Sequence, residues 1–235
     1  MFLKKPILAI FAHPDDESFL VGGALALAAK NTHVKIIIAT RGEKGRSHID
    51  YEISDHDLAS MREQELAEAV NILNVECNLL DYKDGELDKA NEEEIVARLI
   101  KFIRDFNPHS IITFGPDGVT GHRDHIAIGK FTTKAVARIG RDDLYWIARP
   151  QSLQNIIESR SWKRTAHNYI EIPEVPYTED DLIRVDVSEI AQVKSKAILS
   201  HASQGPERYL VKEAEGLMKF EYFYKVSENI LKNYH

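Results

Sequence analysis

The chain has 235 residues, 43% apolar and 29% charged, which is enough for one large core and ordinary for a globular protein. Its net charge of −7 gives no footing for a nucleic-acid partner, and no window approaches the roughly 18 uninterrupted apolar residues of a membrane-spanning helix. Cys77 is the single cysteine, which excludes an intrachain disulfide, fits a reducing cytoplasm and leaves any transition-metal site to His, Asp and Glu.

Lys4 and Lys5 precede a short apolar run with no small-residue cleavage site, so residues 7–11 read as a first strand and not as a signal peptide. A small-residue helix follows to about Lys30, then a β-branched strand over 34–40. Residues 41–55 are polar and carry Gly42 and Gly45, the signature of a long loop. Asp57 can cap a helix in which Leu58, Met61, Leu66, Ala69, Val70 and Leu73 recur at helical spacing. Residues 78–82 predict a short strand ending at Asp84-Gly85, and 92–106 an amphipathic helix that Pro108 ends. A fourth strand (110–114) runs into the glycine-rich loop 115–121, followed by a helix over 126–139 and a strand over 144–148.

After Arg149 the pattern loosens, with Pro150, Pro173 and Pro176, a helix about 188–200 and an aromatic tail of Phe220, Tyr222, Phe223 and Tyr224. The tail reads as core or as a subunit interface, which leaves a homo-oligomer open. Strands alternating with helices predict an α/β fold, a Rossmann-like, mainly parallel sheet flanked by helices. No repeat or linker divides the chain, so 1–235 is expected to be a single domain, with 1–149 as its regular α/β core and 150–235 as a less regular part.

Two short constellations carry chemistry. Ala12-His13-Pro14-Asp15-Asp16-Glu17 lies where the first strand ends and a helix begins, and Gly121-His122-Arg123-Asp124-His125 lies just beyond the fourth strand. In a parallel sheet both fall on the strand C-terminal edge, where open α/β sheets bind ligands. His13, Asp16 and His125 can then converge. Two neutral imidazoles, one carboxylate and an open fourth position make a catalytic zinc arrangement, and Fe²⁺ or Mn²⁺ can use a similar set. Asp15 is adjacent and unused, and so is a candidate base. Alone, His-Pro-Asp-Asp is equally well a proline turn with an Asp cap. Glu17 reads as a first-turn acid favoured by the helix dipole. Gly22-Gly23 reads as close packing, and Arg62 with Glu65 as a solvated helix pair.

The pattern A-H-P-D-D-E with G-H-x-D-H resembles the PIG-L/LmbE family of zinc-dependent N-deacetylases. A looser echo, Lys194 to Gln204, matches the family's K-x-x-A…H-x-S-Q segment. The resemblance implies an enzyme that removes acetyl groups from N-acetylglucosamine-type amides. It implies His13, Asp16 and His125 as zinc ligands, Asp15 as general base, and His122 as oxyanion stabiliser that serves as or assists the acid. Asp124 would hold the His122 ring. Arg41, Glu43, Arg62 and Asp84 fall on substrate-side positions, and His201 is a pocket residue if the C-terminal echo holds, otherwise a helix-end histidine. The implied partner is a small N-acetylated sugar or sugar conjugate, with no membrane and no nucleic acid. The rival readings are a metal-dependent hydrolase of another amide or ester, and a non-catalytic sugar- or nucleotide-binding α/β domain.

Overall fold

The apolar runs become neighbouring strands of one sheet. The computed structural model describes residue 3 and residues 5–150, 168–205 and 218–234. In chain order these give β1 (Ile7–Phe11), α1 (Asp16–Ala29), β2 (Val34–Thr40), α2 (Asp55–Leu73), β3 (Glu76–Tyr82), α3 (Glu92–Phe106) and β4 (Ser110–Phe114). A one-turn segment α4 (Gly118–Gly121), α5 (Arg123–Arg138), β5 (Leu144–Ala148), β6 (Ile183–Asp186), α6 (Ala191–Ser200) and β7 (Phe220–Lys225) follow. The strand order is β3-β2-β1-β4-β5-β7-β6. Strands β1 to β5 pair in parallel, whereas β7 pairs antiparallel with both β5 and β6.

β1, β4 and β5 are buried along their whole length. This fits their unbroken apolar runs, since central parallel strands are covered on both faces. The covering helices pack in two groups, α1 with α2 and α6, and α3 with α5. Among the described residues no helix is long and apolar enough to cross a membrane.

Several boundaries differ from the sequence expectation, each for a capping reason. α2 starts at Asp55 with Ser54 as its cap, the Ser54 hydroxyl accepting from the Asp57 amide at 3.1 Å, so Asp57 sits in the first turn. α5 starts at Arg123, three residues earlier than its apolar periodicity, because the His122 ring caps it through the Asp124 amide at 3.2 Å. The aromatic tail is β7, lying inside the sheet with Phe223 fully buried. Phe223 thus belongs to the core, while Phe220, Tyr222 and Tyr224 on the other face of the strand are half-buried.

Helix α1 is interrupted at Val21 (φ −139°, ψ 17°). The Glu221 carboxylate, from β7, accepts from the freed amides of Gly23 at 2.9 Å and Ala24 at 2.7 Å. Lys194 of α6 neutralises it at 2.7 Å, and both side chains are almost fully buried. A Cβ on Gly23 would fall 2.7 Å from the Val187 side chain, which is why the helix needs glycine here.

Candidate metal centre

The strand order reverses between β1 and β4, each flanked on its far side by strands running outward in opposite senses. Such a switch point opens a crevice beyond the strand C-termini. The turn after β1 and the start of α1 supply His13, Asp15 and Asp16 there, and the segment after β4 supplies His122 as the cap of α5 and Asp124 and His125 in its first turn.

His13 Nδ1 and His125 Nε2 stand 3.2 Å apart. Asp16 Oδ1 is 3.2 Å from His125 Nε2, and the same carboxylate is 3.7 Å from His13 Nδ1. A tetrahedral ion with bonds of about 2.0–2.1 Å sets its ligands about 3.3 Å apart. The His13–His125 and Asp16 Oδ1–His125 pairs have that spacing, while Asp16 approaches His13 through Oδ2 and more widely. The groups whose donor atoms all lie within 4.8 Å of one another are His13, His122 and His125, and His13, Asp84 and Asp124. The atoms not facing the centre are all engaged. His125 Nδ1 lies 3.0 Å from the Gly118 carbonyl, which only accepts, so Nδ1 carries the proton and Nε2 is a free lone pair. His13 Nε2 lies 3.1 Å from both Asp124 Oδ2 and Asp84 Oδ1, which likewise leaves Nδ1 as the donor atom. Asp16 Oδ2 accepts from the Ala12 and His13 amides at 3.2 and 2.8 Å, leaving Oδ1.

The Gly118 carbonyl is placed by a strained turn. Val119 has φ 64° and ψ −36°, a rare backbone state for a β-branched residue, and it is buried. The Phe114 ring stacks on His125 with centroids 4.1 Å apart.

Asp15 is turned away from its neighbour by a backbone at φ 128°. Its amide donates to Glu17 Oε2 at 3.0 Å, and its carboxylate sits 3.1 Å from Arg62 Nη2. Arg62, from α2, is buried, and donates to the Gly42 carbonyl at 2.9 Å and to the Pro14 carbonyl. A Cβ on Gly42 (φ 69°) would lie 2.3 Å from Arg62 Nη1, so glycine is what lets the guanidinium in. Arg62 and Glu65 are therefore not a solvated pair: Glu65 is also buried and accepts from the Ser203 amide and hydroxyl at 2.6 and 2.7 Å.

The other expected residues fall at varied distances from this centre. His122 packs between His13 and His125, with centroids 4.7 and 4.8 Å away, and its nitrogen lies within 4.8 Å of theirs. Asp124 does not hold the His122 ring. Its carboxylate accepts from the Gly85 and Leu87 amides at 2.7 and 3.0 Å and meets His13. The helix begun by His122 turns the Asp124 side chain toward the loop after β3, and only its amide reaches His122. Asp84 is buried against His13 and accepts from the Lys44 amide at 2.9 Å, while Glu43 accepts from the Asp84 amide at 2.9 Å. Arg41 is exposed and pairs with Glu63, so it stands apart from the cluster.

His201 is fully buried, its Nε2 2.7 Å from Glu17 Oε1, so it presents no face to a ligand in the crevice. Glu17 is not a solvated first-turn acid: it is wholly buried between His201, Ser18 and the Asp15 amide. Local reading missed this pair because its members are 184 positions apart, and the one signal that joins them is the C-terminal motif echo. Tyr169 was also missed. Its ring meets His122 edge-on at 4.9 Å, and no motif marks it.

Electrostatics sharpen the division between the adjacent aspartates. Burial pushes the Asp15 carboxyl up to about 6, with Arg62 pulling it down and Asp16 pushing it up. Burial also opposes ionisation of Asp16, but His125 and His13 hold its carboxyl well below the usual range. Asp84 is held low against its own burial by His13. His13 is driven well above its ordinary value despite burial, chiefly by Asp84 and its hydrogen bond to Asp124. Burial, with His13 and His125 beside it, pushes His122 down to about 2. Four carboxylates (Asp15, Asp16, Asp84, Asp124) thus surround the cluster, and Arg62 is the guanidinium among them. Such a field favours a cation, and a divalent ion would displace the proton from His13. The residues fit a divalent metal.

The profile of the PIG-L family, described as GlcNAc-PI de-N-acetylase, matches residues 8–136. That stretch contains both loops of the centre. The chain is 30% identical over 205 residues to probable N-acetyl-alpha-D-glucosaminyl L-malate deacetylase 2 of Bacillus subtilis (strain 168), covering 86% of this chain and 84% of that one. It is 28% identical over 238 residues to 1D-myo-inositol 2-acetamido-2-deoxy-alpha-D-glucopyranoside deacetylase of Salinispora arenicola (strain CNS-205), covering 86% and 77%. Among solved structures, N,N'-diacetylchitobiose deacetylase from Pyrococcus horikoshii, complexed with its inhibitor MPG, superposes with a TM-score of 0.67 at 24% identity. That match covers 98% of this chain and 86% of the other, and it is a likeness of fold. With the family profile spanning more than half of its length, the chain belongs to the PIG-L family of de-N-acetylases.

Proposed function

We propose that this protein is a zinc-dependent N-deacetylase that hydrolyses the acetamide of an N-acetylglucosamine conjugate, giving acetate and a free amine. The observation that carries the reading is the split between neighbouring aspartates: Asp16 faces two imidazole lone pairs, while Asp15 is turned aside and held by Arg62. A site that only bound metal has no use for the second, strained carboxylate.

His13 Nδ1, Asp16 Oδ1 and His125 Nε2 would hold the metal, whose chemistry is to polarise the amide carbonyl and acidify water. Asp15 takes the proton from the attacking water, a role worth about 10²- to 10⁴-fold in rate. His122 Nδ1 accepts from a backbone amide, so the neutral ring carries its proton on Nε2, where it donates to the developing oxyanion. The proton held by Asp15 then passes to the leaving nitrogen as the carbon–nitrogen bond breaks, so protons balance. Asp84 and Asp124 orient His13, and Arg62 orients Asp15.

The substrate side falls to the loop after β2. Glu43 ties that loop to Asp84, and exposed Arg41 is free to turn from Glu63 toward the part of the conjugate beyond the sugar. The named relatives are deacetylases of malate- and inositol-linked sugars, and we read this protein's substrate as a small, polar conjugate of the same kind met in the cytoplasm. The whole chain acts as one catalytic domain in this reading, because β7 and α6 brace α1.

The test is amine release from a panel of N-acetylglucosamine conjugates by protein loaded with Zn²⁺, Fe²⁺ or Mn²⁺, with metal content measured beside it. One metal per chain with no amine released from any member would reject the reading.

A further inference from the structure

His201 has a closed environment and a specific reach. It terminates α6, has no exposed surface, and directs Nε2 to Glu17 Oε1 at 2.7 Å. Glu17 in turn gathers three donors: His201 Nε2, the Ser18 hydroxyl at 2.6 Å and the Asp15 amide at 3.0 Å. The last contact matters most, because Asp15 occupies a backbone state (φ 128°) that a non-glycine residue keeps only where its surroundings impose it.

The segment that carries His201 is itself pinned from two further sides. Ser203 receives the Glu65 carboxylate of α2 through its amide and hydroxyl, and its carbonyl accepts from the His48 amide at 2.7 Å. The stretch after α6 thus joins α1, α2 and the loop after β2, with its histidine aimed at the strained turn.

We propose that His201 is a positioning residue for the hydrolysis: through Glu17 it fixes the Asp15 backbone, and so the direction of the carboxylate. Removing the imidazole takes away the donor that anchors Glu17, and the Glu17 carboxylate then no longer holds the Asp15 amide. Arg62 still contacts the Asp15 carboxylate, and the Ser18 and Phe19 amides still hold the Asp15 carbonyl, but nothing then holds the Asp15 amide, and the peptide between Pro14 and Asp15 is free to rotate. The inference rests on reading Asp15 as the base. It makes no claim on the metal ligands, which Glu17 and His201 do not touch.

The test compares His201→Ala, His201→Gln and Glu17→Gln with the wild type, using metal analysis, steady-state kinetics and backbone amide exchange by NMR. In His201→Ala the expected result is a kcat lower by about 10²-fold, the scale for a reacting group misplaced by an ångström. KM and the metal content stay as in the wild type. The Asp15 amide exchanges faster, while the Ser18 and Phe19 amides, which bond the Asp15 carbonyl at 3.0 and 2.9 Å, stay protected. His201→Gln keeps a donor at the same reach and recovers most of kcat. Should His201→Ala fail to fold, Glu17→Gln offers one acceptor oxygen where three donors converge, and must show the same faster exchange and lower kcat. A raised KM with unchanged kcat would make His201 a substrate contact and overturn the proposal. So would an unchanged Asp15 exchange rate in His201→Ala. If the wild type releases no amine, the functional reading fails, while the amide exchange still decides the positioning on its own.

Discussion

Asp15→Asn is expected to stabilise the metal-free protein at neutral pH while destroying its activity. Burial, with Asp16 beside it and Arg62 opposing, raises this carboxyl from 3.8 to about 6. The folded chain therefore binds the Asp15 proton more tightly than the unfolded chain does. A group raised in this way contributes its full stability below 3.8 and loses it as pH rises through about 6. At ~1.4 kcal/mol for each tenfold change in proton affinity, the ionised carboxylate costs about 3 kcal/mol by pH 7. Asparagine has nearly the same shape and no charge, so it removes that cost.

Asparagine also weakens the contact to Arg62, a loss of about 1–2 kcal/mol that is nearly independent of pH. The clean measurement is therefore the difference between variant and wild type at two pH values. Urea denaturation in the presence of a chelator, at pH 4 and pH 7.5, gives it directly, since every other titrating group is common to both proteins. The stability of the variant relative to wild type should rise by about 2–3 kcal/mol between the two pH values. Amine release by the metal-loaded variant should fall by about 10²- to 10⁴-fold. A stability difference that does not change with pH would refute the reasoning, because Asp15 would then titrate alike in the folded and unfolded chains.

Three further outcomes follow from the same geometry. Asp16→Ala and His125→Ala should lose the bound metal while Asp15→Asn keeps one per chain, as read by metal analysis after gel filtration; stoichiometric metal in Asp16→Ala would displace it from the ligand set. Glu221→Ala removes the carboxylate from Lys194 and from the amides at the break in α1, and should destabilise the fold by about 3–5 kcal/mol in urea, the scale for removing one partner of a buried pair. Burial, with a smaller contribution from Glu17, pushes the Cys77 thiol up to about 12, so iodoacetamide at pH 8 should leave the native protein unlabelled by mass spectrometry and label it after unfolding.

The strands and helices of the first 148 residues were legible because their signals are local. The run Ile7–Phe11 and the spacing of Ile95, Leu99 and Ile103 each declare one kind of element. The boundaries were less so, because a cap such as Ser54 or His122 is decided by side-chain geometry that apolar spacing does not encode. The convergence of His13, Asp16 and His125 was legible through topology: both motifs follow parallel strands, and the sheet order then brings their loops together. The aromatic tail was ambiguous, since alternation shows that a strand has a buried face and not which neighbour covers it. In the structure it is a strand between β5 and β6, with Phe223 buried and its other aromatics half-buried.

What could not be read was which acid serves which base. Asp124 stands two residues from His122 and yet meets His13, because its carboxylate is drawn to the Gly85 and Leu87 amides of the loop after β3. Glu17 looks like a dipole-compensating acid by every local rule, but its carboxylate is claimed by a histidine on α6. Both cases have one physical origin. A buried carboxylate must find donors, and in a sheet whose loops converge the nearest donors come from distant parts of the chain. The proposed ligands stand out as a motif because a metal demands particular residue types. The groups that aim the ligands and the base face no such demand: any donor at the right distance will serve. Their identity is therefore fixed by the packing of α1, α2 and α6 around the switch point, and it becomes visible only in three dimensions.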